Sequence, residues 1–273
     1  MSDRYGLKTI RTELVDDVLV VTLNRPERRN ALSPEMHLEL HALYESIVHD
    51  PEPNAMVLTG EGKYFCVGAD FADMDSNLDA GGYPDGHPGL LIESVAMARN
   101  ILAVRIPMIA AINGDAIGIG ATISLFCDVV YMADTARIAD PHVKGGMVAG
   151  DGGAVLWPLL MGPNRAKEFL MTGDLVTAPE ADRLGLVNHV VPTDEVVDAA
   201  MAMARRLAAS PALPVRLNKR LVNKELEARV VQLYDLSVAF EALTLESHDH
   251  REAVSSFLEK RPAVFRSGKL GGT

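Results

Sequence analysis

The 273-residue chain is long enough for one large packed domain. With 48% hydrophobic and 23% charged residues, it has the composition of a globular protein and not of a disordered one. Its 26 basic and 37 acidic side chains give a formal net charge of -11, which argues against a nucleic-acid-binding face but leaves room for a phosphorylated ligand held by a few local Lys or Arg.

Cys66 and Cys127 are the only cysteines, so a disulfide scaffold is excluded and a reducing, cytoplasmic setting is expected. Residues 1–11 carry Asp3, Arg4, Lys8 and Arg11 and lack the apolar core of a signal peptide. Gly, Pro or charge interrupts every apolar stretch before the ~18 residues a membrane helix needs, so no membrane partner is expected.

Residues 8–14 and 18–24 are alternating β-branched runs around Val15-Asp16-Asp17, which predicts an opening hairpin. Ser33-Pro34-Glu35 supplies an N-cap with Pro at the first helical position, and Met36, Leu40, Leu43 and Ile47 mark one face of the helix that follows. A strand over 55–59, a glycine-bearing loop over 61–69 and a short helix over 70–74 come next. Residues 77–89, with four Gly and two Pro, read as an active-site lid or a variable loop. Helices are expected over 90–104, 118–126, 152–161, 165–171 and 179–184, and strands over 108–112, 128–132 and 188–191. From Asp194 to about Lys260 the pattern is helical, with a break over 210–214. Strand–helix alternation implies an α/β fold with a largely parallel sheet over residues 1–195, followed by a helical region over 196–273.

Two segments have the form strand, glycine, helix start: Gly62-Lys63-Tyr64-Phe65-Cys66-Val67-Gly68-Ala69-Asp70 and Asn113-Gly114-Asp115-Ala116-Ile117-Gly118-Ile119-Gly120-Ala121-Thr122. Neither has dinucleotide-binding spacing or a Walker lysine. The first N–H groups of a helix lack intrahelical acceptors, so each turn can offer one to a developing oxyanion. The same glycines equally suit close packing of helix on sheet.

These segments, with Leu23-Asn24-Arg25-Pro26, Asn30-Ala31-Leu32, Cys127-Asp128, Leu170-Met171-Thr172-Gly173 and Phe257-Leu258-Glu259-Lys260-Arg261-Pro262 in that order, resemble the crotonase (enoyl-CoA hydratase/isomerase) superfamily along nearly the whole chain. The resemblance implies a crotonase-like spiral of ββα turns, a helical C-terminal trimerisation region, and assembly as a homotrimer or dimer of trimers. It implies an acyl-CoA substrate, with coenzyme A as part of that substrate and no separate cofactor. The family pattern puts the oxyanion-hole N–H groups on Ala69 and Ile119, and CoA contacts on Arg25, Lys63, Phe257 and Lys260.

The sequence departs from the hydratase pattern at both catalytic carboxylates. Thr122 and His142 stand where that pattern has glutamates, and a threonine hydroxyl is not a general base at neutral pH. A His142–Asp151 pair across a glycine-rich turn is expected to act in their place, His142 as base and Asp151 on its second ring nitrogen. The stretch Pro141-His142 … Gly150-Asp151-Gly152 … Trp157-Pro158 also resembles the β-diketone hydrolase branch, which places Glu241 in the pocket. Thr122, Trp157 and Glu241 are therefore expected to line the substrate pocket, although a core position is the commoner fate of a Trp. A histidine of that branch is missing at Ile119. Hydrolysis of a β-keto acyl-CoA or β-diketone, and a non-catalytic acyl-CoA-binding role, stay open beside the thioester enzyme. His248-Asp249-His250 has no companion ligands in sequence, and no metal is expected.

Overall fold

The computed structural model describes residues 4–70 and 86–266, with the backbone alone for 86–93. The helix expected over 70–74 and most of the glycine-rich stretch 77–89 lie outside the described residues.

Strands β1 (Ile10–Val15) and β2 (Val18–Leu23) form the opening hairpin. Its two linking residues, Asp16 and Asp17, have φ of 50° and 62°, the left-handed conformations that a two-residue turn requires of a twisted ribbon. Helix α1 (Pro34–His49) begins as the sequence predicts: the Ser33 side chain accepts from the Met36 N–H, and Met36, Leu40, Leu43, Tyr44 and Ile47 are buried. β3 (Ala55–Gly60), α2 (Gly86–Ala103), β4 (Met108–Ile112), β5 (Ala116–Ile117) and α3 (Ile119–Leu125) follow. Next come β6 (Val129–Ala133), β7 (Arg137–Ala139), a 3-10 turn (His142–Gly145), α4 (Gly153–Met161) and α5 (Pro163–Thr172). β8 (Val176–Thr177), α6 (Ala178–Leu184), β9 (His189–Val191), α7 (Val196–Ala208), α8 (Ala212–Leu245) and α9 (His248–Leu258) complete the order.

The main sheet has the order β1-β2-β3-β4-β6-β9 and is parallel beyond the opening hairpin. β3 and β4 are buried along their whole length and, Thr59 and Gly60 apart, apolar, as strands covered on both faces must be. A second sheet, β5-β7-β8, was not predicted from the sequence, because its strands are two or three residues long and too short to show an alternating pattern. Its β5 and β7 lead into the segments that carry Ile119 and His142.

Helix α7 packs on β3, β4 and β6, and its Val196, Ala200, Met201 and Ala204 join the same core as the strands. Helix α8 restarts the chain at Ala212. Pro214 lies in its first turn, where no intrahelical N–H donor is needed, so the break expected there is shorter than the sequence implies. α8 is fastened to the sheet by Lys219, whose ammonium lies 2.8 Å from Asp128 Oδ2 and donates to the Ile106 carbonyl. Among the described residues no helix is long and apolar enough to cross a membrane.

Candidate active site

The two glycine turns are joined backbone to backbone. The Cys66 N–H donates to the Asp115 carbonyl, and the Ile117 N–H donates to the Cys66 carbonyl, forming a parallel bridge between Cys66 and Ala116. That bridge joins the segment leading to Ala69 with the segment leading to Ile119. Leu32 holds the other edge of the first turn: its N–H donates to Gly68 O, and its carbonyl accepts from the Asp70 N–H. Ala69 N–H therefore faces away from Leu32. The Ile119 N–H is at the first position of α3, where no intrahelical acceptor exists. Neither N–H has an acceptor among the described residues.

Glycine is required where the turns touch. A Cβ on Gly120 would overlap the Cys66 carbonyl oxygen, and Gly118 has a φ of 55°. Side-chain amides complete the scaffold. Asn113 accepts from the Gly60 N–H and donates to the Gly60 and Gly62 carbonyls. Buried Asn30 accepts from the Arg25 N–H and donates to the Glu61 and Tyr64 carbonyls. The Asn-Ala-Leu and Asn-Gly motifs of the sequence are thus braces for the turns.

His142 opens the 3-10 turn after β7, and its Cε1 lies against the Gly118 turn. The ring is almost buried. Its Nδ1 is 2.5 Å from Asp140 Oδ1, while its Nε2 is 3.5 Å from Asp151 Oδ2 and 3.8 Å from Glu241 Oε1. The structure thus brings His142, Asp151 and Glu241 together, and corrects one detail. The carboxylate on the second ring nitrogen is Asp140, and Asp151 lies on the Nε2 side. Asp140 was not singled out in the sequence, since its contact depends on the chain reversing through Pro141 into the 3-10 turn.

Thr122 is buried and donates through Oγ1 to Asp151 Oδ1 at 3.1 Å. The carboxylate lost at position 122 therefore returns on a different element, hydrogen-bonded to the residue that replaced it. Helix α8 secures this second element with one stripe of side chains. Tyr234 Oη donates to the Asp151 carbonyl at 2.6 Å, Ser237 Oγ donates to the Gly150 carbonyl at 2.9 Å, and Thr244 Oγ1 accepts from the Val148 N–H at 3.1 Å. From α9, His250 Nδ1 donates to the Gly145 carbonyl at 2.8 Å. His250 of the His-Asp-His stretch is therefore a buried brace for the turn.

Burial lowers the basicity of the His142 ring, yet the fields of Asp140, Asp151 and Glu241 together overcome it, and its pKa stands well above 6.5. Burial raises the pKa of Asp151, with His142 opposing. Burial also raises Glu241, to about 8, again against His142 and reinforced by Asp151 and Asp140. Ligand atoms of Asp140, His142 and Asp151 lie within 4.8 Å of one another. At 2.5 Å, however, Asp140 and His142 are hydrogen-bonded partners and not spaced around an ion.

The other expected residues fall elsewhere. Trp157 is fully buried in the core beside Phe169. Arg25 turns inward: its guanidinium donates to the Ala31 carbonyl at 2.6 Å and lies 3.5 Å from Asp70. Both contacts hold it against the first glycine turn. Lys63 is exposed on the loop entering that turn. Phe257 and Lys260 are exposed at the end of α9. Cys66 and Cys127 are buried, and burial raises both thiol pKa values, Cys66 to about 11, so neither is a ready nucleophile.

The site is thus two abutting glycine turns beside the buried cluster of His142, Asp140, Asp151 and Glu241. Residues 13–268 match the model of the enoyl-CoA hydratase/isomerase family. A putative enoyl-CoA hydratase of Thermus thermophilus is 36% identical over 248 residues, covering 91% of this chain and 97% of that protein. The 1,2-epoxyphenylacetyl-CoA isomerase of Escherichia coli is 33% identical, covering 95% and 98%. The crystal structure of an enoyl-CoA hydratase/isomerase from Mycobacterium paratuberculosis superposes with a TM-score of 0.84 at 33% identity, covering 92% of this chain and all of that one. The chain belongs to the enoyl-CoA hydratase/isomerase family of the crotonase superfamily.

Proposed function

We propose that the protein binds an acyl-CoA thioester with its carbonyl oxygen between the N–H groups of Ala69 and Ile119, and that His142 carries the proton. The observation behind this reading is the placement of one imidazole, backed by Asp140, against the Gly118 turn with its Nε2 facing Asp151 and Glu241. In its neutral form Nε2 removes a proton from the carbon next to the thioester carbonyl. The electron pair of that bond moves into the enolate, whose oxygen receives the two N–H groups. Returning the proton at another carbon gives an isomerase. Two-glutamate hydration is unavailable, because positions 122 and 142 carry Thr and His.

A second reading is favoured by Asp151 and Glu241 lying 3.5 and 3.8 Å from Nε2. A water held by these groups would give a proton to Nε2 as its oxygen adds to a β-keto acyl-CoA or β-diketone carbonyl; collapse of the adduct breaks the C–C bond, and His142 returns the proton to the leaving enolate carbon. In either case Lys63, Phe257 and Lys260 are candidates for the CoA moiety. The exposed stripe Leu233, Leu236, Phe240 and Leu243 on α8 supports assembly as a trimer or dimer of trimers.

Turnover of enoyl-, β-keto- and aryl-CoA esters in heavy-isotope water, followed by mass spectrometry, tests both readings. Deuterium at the α-carbon identifies the enolate path, and ¹⁸O in a released acid identifies hydrolysis. Crotonyl-CoA hydration at the rate of dedicated hydratases, or full turnover by His142→Ala, overturns the role of His142. No turnover by either form, with CoA esters still bound, assigns a binding role instead.

A further inference from the structure

We propose that Asp140 is the positioning residue of the proton-transfer group: it accepts the Nδ1–H of His142, fixes the tautomer with a free Nε2, and aims that nitrogen at Asp151 and Glu241. The proposal rests on the reading of His142 as the group that carries the proton, and its first test is independent of turnover.

The geometry separates the two aspartates. Asp140 ends the segment after β7, its side chain is 1% exposed, and Oδ1 lies 2.5 Å from Nδ1 and 3.5 Å from the His142 backbone N–H. Oδ2 is buried without a hydrogen-bond partner among the described residues. A Cβ at Gly153 would overlap that oxygen, so the carboxylate is wedged between the imidazole and the first residue of α4. No Lys or Arg among the described residues makes an ion pair with it. A buried carboxylate whose side-chain partner is one imidazole must stabilise the protonated ring, since an isolated buried charge is costly.

Asp151 is situated differently. Its Oδ1 accepts from Thr122, and it faces Nε2, the nitrogen left for the substrate or water. The titratable groups around the ring are thus Asp140 on Nδ1, Asp151 and Glu241 on Nε2, Tyr234 behind Asp151, and His250 beneath Gly145. When Nε2 takes a proton, the positive charge forms 2.5 Å from Asp140. An orienting aspartate on Nδ1 does the same work in a serine-protease triad, but here it is two residues away in sequence.

The experiment is ¹⁵N NMR of the histidine rings across pH, with kinetics, for wild type, Asp140→Asn and Gly153→Ala. Asn keeps the size but loses the charge. In Asp140→Asn, His142 is expected to titrate at least one pH unit lower and to change tautomer. The acid limb of kcat should move down with it, and kcat should fall roughly 10²- to 10⁴-fold with little change in KM. Gly153→Ala, which displaces the carboxylate without removing it, should move the titration the same way. It also serves if the Asn variant fails to fold. Unchanged ring titration and an unchanged pH profile in a folded variant, with only thermal stability lowered, overturn the proposal. A shifted titration in a protein whose turnover survives His142→Ala keeps the Asp140 assignment and removes the reading of His142 instead.

Discussion

The hydroxyl of Tyr234 donates to the main-chain carbonyl of Asp151 at 2.6 Å, tying a helix late in the chain to the turn that carries the Nε2-side carboxylate. Tyr234 is itself buried, and burial, with Asp151 and Glu241, raises its pKa well above 10, so it stays a donor across the working range. Tyr234→Phe leaves that acceptor without its partner. The expected loss is about 1–3 kcal/mol of stability, checked by denaturant titration, with a lower kcat from the loosened turn.

Replacing His142 with Gln keeps a polar group of similar reach and removes the titrating nitrogen. Turnover is expected to fall roughly 10²- to 10⁴-fold, while the affinity for CoA esters, measured by calorimetry, changes little.

The pH dependence of the wild-type enzyme follows from the same ring. Its conjugate acid persists well above pH 6.5, so a base role needs the alkaline side of neutrality. A plot of log kcat against pH should rise through that raised value. A plateau already reached by pH 6.5 would contradict a base role for His142.

Stability should move the opposite way. Glu241 holds its proton to about pH 8 in the folded protein against 4.5 in the open chain. Between those limits the folded state binds more protons, so stability falls as pH rises. His142 acts in the same direction: its ion pairs contribute fully below pH 6.5, and their contribution is lost as pH rises through its raised value. Thermal midpoints should therefore decline from pH 5 to 9, and Glu241→Gln should flatten that decline.

Gly120→Ala tests the contact between the two glycine turns. The added methyl group would overlap the Cys66 carbonyl oxygen, which belongs to the bridge between the two turns. The variant should lose roughly 10²- to 10³-fold in kcat, as for the loss of one oxyanion donor, together with a lower melting temperature.

Much of this architecture was legible in the chain itself. The hairpin around Asp16-Asp17, the Ser33 cap and the buried strands followed from local chemistry. The proximity of His142 and Asp151 followed from a glycine-rich turn between them. Asp140 was missed because an i to i+2 contact depends on one 3-10 turn, and no side-chain periodicity reports it. Tyr234, Ser237 and Thr244 were missed because the docking of α8 on the 148–151 segment is a tertiary event. They do share a helical face with Glu241, a stripe of polar residues on an otherwise apolar surface, and that signal was available. Trp157 and Arg25 went the other way: a ring near the motif turned into the core, and a cation near the motif turned onto a carbonyl and a carboxylate.

The bracing of the His142 turn by residues 234–250 bears on how the enzyme matures. On the ribosome, both glycine turns and the imidazole emerge on the order of ten seconds before the side chains that clamp them. A nascent chain stalled ahead of position 234 would carry every reacting group already translated except Glu241, yet lack the wall that orders them. The order of the site thus depends on side chains translated well after the imidazole they help to place.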